Sequence, residues 1–130
     1  MILLDTNVVL WMAFEPEKVS RSAQRRIEAA RSAKEGLAIS GITLLEIATA
    51  TSKGRLRIAV SLTEFLRQIE SMFTVLPITG LACARTVGLP EGYPGDPADR
   101  IIGATALVEG LTLITGDRNI LRCLEAVTIW

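Results

Sequence analysis

The chain has 130 residues, of which 49% are hydrophobic, and its 14 basic and 14 acidic side chains give a formal net charge of zero. This length predicts a single domain over residues 1–130, and the balanced charge gives no overall attraction to nucleic acid. The chain contains no histidine, which excludes Ser-His-Asp and Cys-His nucleophilic sites and any zinc site built on imidazole.

No apolar run has the length of a membrane span, and the N-terminus lacks the pattern of a signal peptide. We therefore expect a cytoplasmic protein without membrane contact. Cys83 and Cys123 have no metal-type spacing and are expected to be free thiols in a reducing compartment. Any chemistry would depend on carboxylates, hydroxyls and a metal.

Short apolar runs alternate with helical patterns along the first half of the chain. The predicted elements are a strand over 1–4, a helix opening at Thr6, an amphipathic helix ending at Gly36, a strand over 37–40 and a helix beginning at or near Thr43. The same alternation continues in the second half. It predicts an amphipathic helix over 62–72, a strand over 74–78, a helix over 81–87, a loop over 88–95, a helix from Asp96 to Gly110, a strand over 111–115, a short helix near Ile120 and an edge strand over 127–129. Strands that alternate with helices favour an α/β fold, a three-layer α/β/α sandwich with a mostly parallel central sheet.

Four acidic residues follow apolar segments at places where a parallel sheet forms its sites. Asp5 and Asp117 follow predicted strands, while Glu46 and Asp99 lie near the starts of predicted helices. We expect the four to converge on the carboxyl edge of the sheet. Clustered carboxylates repel one another, and a hard divalent cation such as Mg²⁺ or Mn²⁺ removes the conflict. Thr6 and Thr115 could hold a water or a carboxylate there, although an ordinary helix-start and strand-end threonine is the more common case for each.

Helix capping is the alternative explanation for each acid. Asp96 precedes Pro97 and is the expected N-cap of its helix, with Asp99 in the first turn. Asp5 and Asp117 could cap their own helices, and Glu46 could form a capping box with Thr43. On this interpretation the chain is a non-catalytic binding module whose acids serve as helix caps.

The same stretches resemble the PIN-domain ribonucleases, and most of all the VapC toxins of type II toxin–antitoxin systems. The resemblance spans the whole chain in order and is carried by Asp5-Thr6-Asn7, Thr43-Leu44-Leu45-Glu46-Ile47-Ala48, Asp96-Pro97-Ala98-Asp99-Arg100 with the following Ile101-Ile102-Gly103-Ala104-Thr105-Ala106, and Leu113-Ile114-Thr115-Gly116-Asp117.

The resemblance implies a PIN-like domain and a Mg²⁺- or Mn²⁺-dependent endoribonuclease, dimeric and silenced by a cognate antitoxin. It assigns Asp5, Glu46, Asp99 and Asp117 as catalytic, metal-binding acids and Asp96 as an additional metal-binding acid. Some family members have a further acid shortly after the fourth. Here Arg118 and Asn119 follow Asp117, which leaves the number of metals open.

Basic side chains near the predicted acidic site are candidates for RNA contacts. They comprise a basic loop and two further arginines, namely Lys53, Arg55, Arg57, Arg100 and Arg118. A solvated charged surface is the alternative for each of them. Tyr93 could stack on an unpaired base or could simply pack in the fold.

The apolar stripe of the helix over 62–72 predicts a surface for a partner, given the high apolar fraction of so short a chain. The stripe comprises Leu62, Phe65, Leu66, Ile69 and Met72. The alternative is that these side chains fill the core beside a buried parallel sheet.

Overall fold

A central five-stranded parallel sheet organises the computed structural model, which describes residues 1–130. The strand order is β3-β2-β1-β4-β5, with β1 at Ile2–Leu4, β2 at Leu37–Ser40, β3 at Thr74–Leu76, β4 at Thr112–Ile114 and β5 at Thr128–Ile129. Every strand pair is parallel, so the expected mostly parallel sheet is confirmed and proves to be wholly parallel.

Seven α-helices connect and cover the strands. They are α1 at Thr6–Phe14, α2 at Arg21–Ser32, α3 at Gly41–Ser52, α4 at Leu62–Met72, α5 at Gly80–Val87, α6 at Pro97–Glu109 and α7 at Arg118–Cys123, with 3₁₀ turns at Pro16–Lys18 and Glu125–Val127. None of these helices combines the length and the apolar character needed to cross a bilayer.

Two apolar cores lie on opposite faces of the sheet, because successive side chains of a strand point to opposite sides. Ile2 and Leu4 belong to a cluster with residues of α1 to α4, whereas Leu3 belongs to a cluster with residues of α6 and α7. All three are fully buried. The expected three-layer α/β/α sandwich is therefore confirmed.

The start of α3 differs from the prediction. The helix begins at Gly41, because the Ser40 hydroxyl caps it by accepting a hydrogen bond from the Ile42 N–H at 3.2 Å. Thr43 is thus inside the helix, and the proposed capping box between Thr43 and Glu46 is wrong. Glu46 lies in the second helical turn, where its carboxylate is free for another role.

The end of α2 also differs. The helix stops at Ser32 rather than Gly36, because Lys34 (φ 54°) and Gly36 (φ 89°) adopt left-handed backbone conformations. Glu35, between them, pairs with Arg26 at 3.0 Å and so fixes the turn that leads into β2.

The apolar stripe of α4 faces the core. Phe65 and Ile69 are buried in the larger cluster, and Leu66 packs against it. The expected partner surface is therefore wrong for most of this stripe, and the core-filling alternative is correct. Met72, at the end of the helix, remains 61% exposed.

Tyr93 holds the start of α6. The residue is buried, which confirms the packing interpretation and excludes base stacking in this conformation, and its hydroxyl donates to the Asp99 carbonyl oxygen at 2.6 Å. The ring lies against Gly103, where an added Cβ would be 2.1 Å from the Tyr93 oxygen. Arg100 completes the arrangement by donating to the carbonyl oxygens of Thr86 at 2.7 Å and Pro94 at 3.3 Å.

We predict that Gly103→Ala destabilises the protein despite alanine's higher helix propensity, because the new methyl group collides with Tyr93. Overpacking of this kind costs about 1–3 kcal/mol, which chemical denaturation measures directly. Gly80→Ala is the matched control, since Gly80 begins α5 and an added Cβ there meets nothing within 4 Å. Equal stability of the two variants would contradict the proposed packing.

Candidate functional site

The site lies where the strand order reverses, between the neighbouring strands β1 and β4. Open parallel sheets bind their ligands at the carboxyl edge of such a switch point. Asp5 follows β1 directly, and its backbone N–H bonds the Ile114 carbonyl at the end of β4 at 3.0 Å. Asp117 follows β4 by three residues, so two of the predicted acids flank this switch point.

Asp5 is the most buried of the acids, with 5% of its surface exposed. The Thr115 hydroxyl donates to its Oδ2 at 2.7 Å, and the Thr6 N–H donates to its Oδ1 at 2.8 Å. Burial raises the pKa of Asp5 above its ordinary value, while these two hydrogen bonds oppose the shift. The carboxylate is therefore oriented by neutral donors rather than by a cation.

Glu46 reaches the same region from α3. The Thr6 hydroxyl donates to its Oε1 at 2.5 Å, and the hydroxyl oxygens of Thr6 and Thr43 are 2.9 Å apart. Partial burial raises the pKa of Glu46, the Thr6 hydrogen bond opposes this, and the charges of Asp5 and Asp96 raise it further. Thr6 and Thr115 were more readily interpreted as ordinary helix-start and strand-end threonines, and that interpretation is wrong, because both hydroxyls donate to carboxylates.

Among the acids, Asp99 has the carboxylate whose negative charge is offset by the fewest protein contacts. It lies in the first turn of α6, and its side-chain oxygens make no hydrogen bond or ion pair within the protein. Burial first, and then the charges of Asp5, Asp96, Glu46 and Asp117, raise its pKa to about 7. The four other acids thus all lie near enough to Asp99 for their charges to act on it.

Helix capping accounts for three of these acids. Asp5, Asp96 and Asp117 are N-caps of α1, α6 and α7, and each side chain accepts a backbone N–H at 2.8 Å. Glu46 and Asp99 cap nothing. The N-terminus of α6 favours the negative charge of Asp99 in its first turn, but the half-buried Glu46 in the second turn of α3 has no such explanation, so a purely structural role does not account for the cluster.

No basic side chain neutralises the cluster, because the four ion pairs of the protein all involve other acids. As placed, no three acidic or sulfur side chains are gathered closely enough to hold a metal ion in a cage. The donor set nevertheless fits Mg²⁺ or Mn²⁺. All its donors are carboxylate oxygens, and Mg²⁺ keeps several waters while it is held by one or two carboxylates.

A groove of about 670 Å³ runs from the acids along α3, between that helix, α1 and the start of α6. Its lining along α3 includes Ile42, Glu46, Thr49 and Lys53, which recur on one face of the helix. Glu46 and Lys53 are two turns apart, or about 10 Å along the axis. Along α3 the lining is thus acidic at Glu46 and basic at Lys53, and Glu15, just past the end of α1, contributes a further acid to the groove.

The structure places the predicted basic residues in different surroundings. Lys53 and Arg55 line the groove, whereas Arg57 does not. Arg100 donates to two loop carbonyls, and Arg118 begins α7. Their contacts with a ligand remain predictions.

Sequence reasoning missed two residues. Thr43 appeared to be a capping residue, although it contacts Thr6 on another helix, and Tyr93 appeared to be an ordinary loop residue, although it fixes the first turn of α6. Neither contact leaves a signal in the sequence, because both depend on how separate elements pack.

The chain matches the family model described as "PIN domain" over residues 2–123. A curated relative, Ribonuclease VapC22 of Mycobacterium tuberculosis (strain ATCC 25618 / H37Rv), is 36% identical over 99% of this chain and 98% of its own. Its name describes it as a ribonuclease.

Solved structures share the fold. VapBC2 from Rickettsia felis, bound to a DNA fragment from its promoter, matches with a TM-score of 0.74 and 21% identity over 99% of this chain and 98% of its own. A toxin–antitoxin complex from Klebsiella pneumoniae matches with a TM-score of 0.68 and 25% identity over 100% of this chain and 97% of its own.

We predict that the metal-free protein loses stability as pH rises from about 4 to 7. The folded-state pKa of Asp99 is about 7, above the ordinary value of 3.8 for an aspartate, so the folded protein retains a proton that the unfolded chain has released. One such group contributes at most about 1.4 kcal/mol per pH unit. Denaturation across this pH range in a chelating buffer measures the slope.

The comparison with two variants isolates the Asp99 carboxyl together with its coupling to the neighbouring acids, because groups remote from the site contribute equally to all three proteins. Asp99→Asn should flatten the slope, whereas Glu109→Gln, at the exposed far end of the same helix, should keep the wild-type slope. An unchanged slope in Asp99→Asn would show that its carboxyl is not the titrating group.

Proposed function

Because the chain belongs to the PIN-domain family, we propose that it is a VapC-type endoribonuclease toxin that cleaves RNA phosphodiester bonds with Mg²⁺ or Mn²⁺ at its acidic site. The observation that carries this proposal is the pair Glu46 and Asp99, two half-buried carboxylates that cap no helix and face no protein cation. A mere binding module would need neither charge in this pocket.

We assign Asp5, Glu46, Asp99 and Asp117 as the catalytic acids that would hold the metal, with Asp96 as an additional ligand. When bound, the metal supplies a polarised phosphate and a water of lowered pKa. The protein's own part is orientation. Thr115 fixes the Asp5 carboxylate and Thr6 fixes that of Glu46, while Tyr93 fixes the first turn of α6, which carries Asp99.

For the RNA, the groove beside α3 offers Lys53, about two helical turns from Glu46, and Arg55 in the loop that follows the helix. Basic side chains at this distance suit phosphates adjacent to the one being cleaved, and phosphate contacts give affinity without sequence choice. Arg57, Arg100 and Arg118 were also expected to contact RNA. Among these, Arg100 has the weakest support, since its guanidinium already bonds two carbonyl oxygens.

We also propose two protein partners, a cognate antitoxin and a second copy of the chain. The antitoxin is supported by the similarity to solved toxin–antitoxin complexes. An interface with either partner is supported by large apolar side chains exposed in and beside α5, namely Ile78 at 46%, Leu81 at 72% and Val87 at 86%. Such patches on small proteins commonly mark interaction surfaces.

The proposed reaction predicts cleavage of single-stranded RNA with Mg²⁺ or Mn²⁺ and none after chelation. Asp99→Asn should reduce the rate more than about 100-fold, since changing even a residue behind a metal ligand costs 10–100-fold. Asp96→Asn is the matched control and should cost less than about tenfold, because asparagine still caps α6. Gel analysis of end-labelled RNA measures both rates.

Chelator-resistant cleavage would overturn the metal mechanism. Absence of both cleavage and any metal-dependent rise in the thermal midpoint would favour the alternative, a non-catalytic binding module. Equal losses in Asp96→Asn and Asp99→Asn would mean that Asp96 contributes more than capping.

For the RNA contacts, we predict that Arg55→Gln weakens binding of a fluorescent single-stranded RNA measured by anisotropy in chelator, where no cleavage occurs. Losing one phosphate contact on a single strand should reduce the slope of log K against log salt by about 0.7. Arg57→Gln is the control because Arg57 shares the loop but lies outside the groove. If both variants weaken binding equally, the groove is not the RNA path.

A further inference from the structure

Thr43 is fully buried in α3, one helical turn before Glu46 and on the same face. A buried hydroxyl needs a partner, and a helical threonine usually finds one on the carbonyl four residues back in its own helix. Thr105 in α6 does this, since its hydroxyl donates to the Ile101 carbonyl at 2.7 Å. Thr43 instead bonds across to α1, with its Oγ1 2.9 Å from that of Thr6.

The direction of this contact follows from counting protons. An ionised carboxylate accepts hydrogen bonds and donates none, so the single hydroxyl proton of Thr6 goes to Glu46 Oε1, 2.5 Å away. Thr6 therefore has no proton left for Thr43. Thr43 must be the donor and Thr6 the acceptor, which gives a directed chain from Thr43 through Thr6 to Glu46.

We propose that Thr43 is a positioning residue for metal binding, which fixes the Thr6 hydroxyl and, through it, the carboxylate of Glu46. This inference rests on the proposed function, because the oriented carboxylate matters through the metal that it would hold. Without Thr43, the Thr6 hydroxyl can rotate away from Glu46. With Thr43, the acceptor position of Thr6 is occupied and its proton is directed at Oε1, while Oε2 accepts no protein hydrogen bond.

The relay orients Glu46 without neutralising it. A lysine or arginine in the place of Thr6 would hold the carboxylate more strongly but would also compete with a metal cation for it. Two hydroxyls in sequence polarise one another and strengthen the terminal hydrogen bond. The relay thus supplies rigidity and leaves the negative charge available.

Thr43→Val tests this inference, since valine keeps the shape of threonine and removes its hydroxyl. Thr105→Val is the matched control, because it removes another buried helical hydroxyl that bonds only its own helix. Thr43→Ser retains the hydroxyl and should behave as wild type. If Thr43→Val does not fold, Thr43→Ala removes the hydroxyl without adding an apolar group and undergoes the same measurements.

The measurement is the Mn²⁺ concentration needed to raise the thermal midpoint, checked against the Mn²⁺ concentration for half-maximal RNA cleavage. We expect Thr43→Val to require about tenfold more Mn²⁺ in both assays, as is usual for residues behind metal ligands. Its maximal cleavage rate at saturating Mn²⁺ should stay close to wild type. Thr105→Val should change the thermal midpoint of the metal-free protein without changing the Mn²⁺ concentration required in either assay.

Equal Mn²⁺ requirements in Thr43→Val and Thr105→Val would overturn the positioning role. A Thr43→Ser variant as impaired as Thr43→Val would assign the effect to the lost methyl group and overturn it equally. Hydroxyl-proton NMR of the metal-free protein tests the hydrogen-bond relay without any metal, so it distinguishes a wrong positioning role from a wrong proposed function. A protected Thr6 hydroxyl resonance that disappears in Thr43→Val supports the relay. Absence of any Mn²⁺ response in wild type would instead overturn the metal site itself.

Discussion

Repulsion among carboxylates in a half-buried pocket is the constraint on which the rest of this structure depends. Asp99 shows this repulsion most clearly, because burial and four neighbouring acids raise its pKa to about 7 and no basic side chain pairs with it. Such a pocket is costly to hold together. The fold holds it by attaching the acids to elements fixed by the sheet, above all the paired strands β1, which is fully buried, and β4, whose Leu113 and Ile114 are fully buried.

Neutral donors orient the acids. Thr115 and Thr6 donate to Asp5 and Glu46, and the helix N-termini of α1, α6 and α7 direct backbone N–H groups at three aspartates. A helix N-terminus favours a negative charge without contributing a mobile cation. The same contacts therefore explain both why capping appeared a sufficient account of the acids and why capping is compatible with a metal site.

The sequence was sufficient for the sheet, the layers and the meeting of Asp5 and Asp117 at one edge, because these follow from local patterns. Asp5 and Asp117 come after apolar runs, and strand ends in a parallel sheet share an edge. The start of α3 was mispredicted because both Ser40 and Thr43 are good caps, and tertiary packing decided between them. The α4 stripe was misassigned for a related reason. An amphipathic pattern shows that a face is covered but not whether the protein's own core or a partner covers it.

Contacts between distant elements were beyond the reach of the sequence. The Thr6–Thr43 bond joins residues 37 positions apart, and Thr115–Asp5 joins residues 110 apart. Gly103 shows the same limitation, because it appears to be a weak helix residue until Tyr93 is seen to occupy the space of its side chain. In each case the role of one residue is evident only from its contact with the other.

The distribution of charge also explains how a chain of zero net charge can act on a polyanion. Glu46 and Asp96 lie toward one end of the groove, and Lys53, two helical turns along α3 from Glu46, lies toward the other. An RNA strand would be attracted by the basic end and repelled by the metal-free acidic end, with the repulsion strongest where water is partly excluded. On the proposed function, a bound divalent cation reduces that repulsion and gives the phosphate a positive partner at the acids. The metal would then be needed for the scissile phosphate to approach the site as well as for the chemistry.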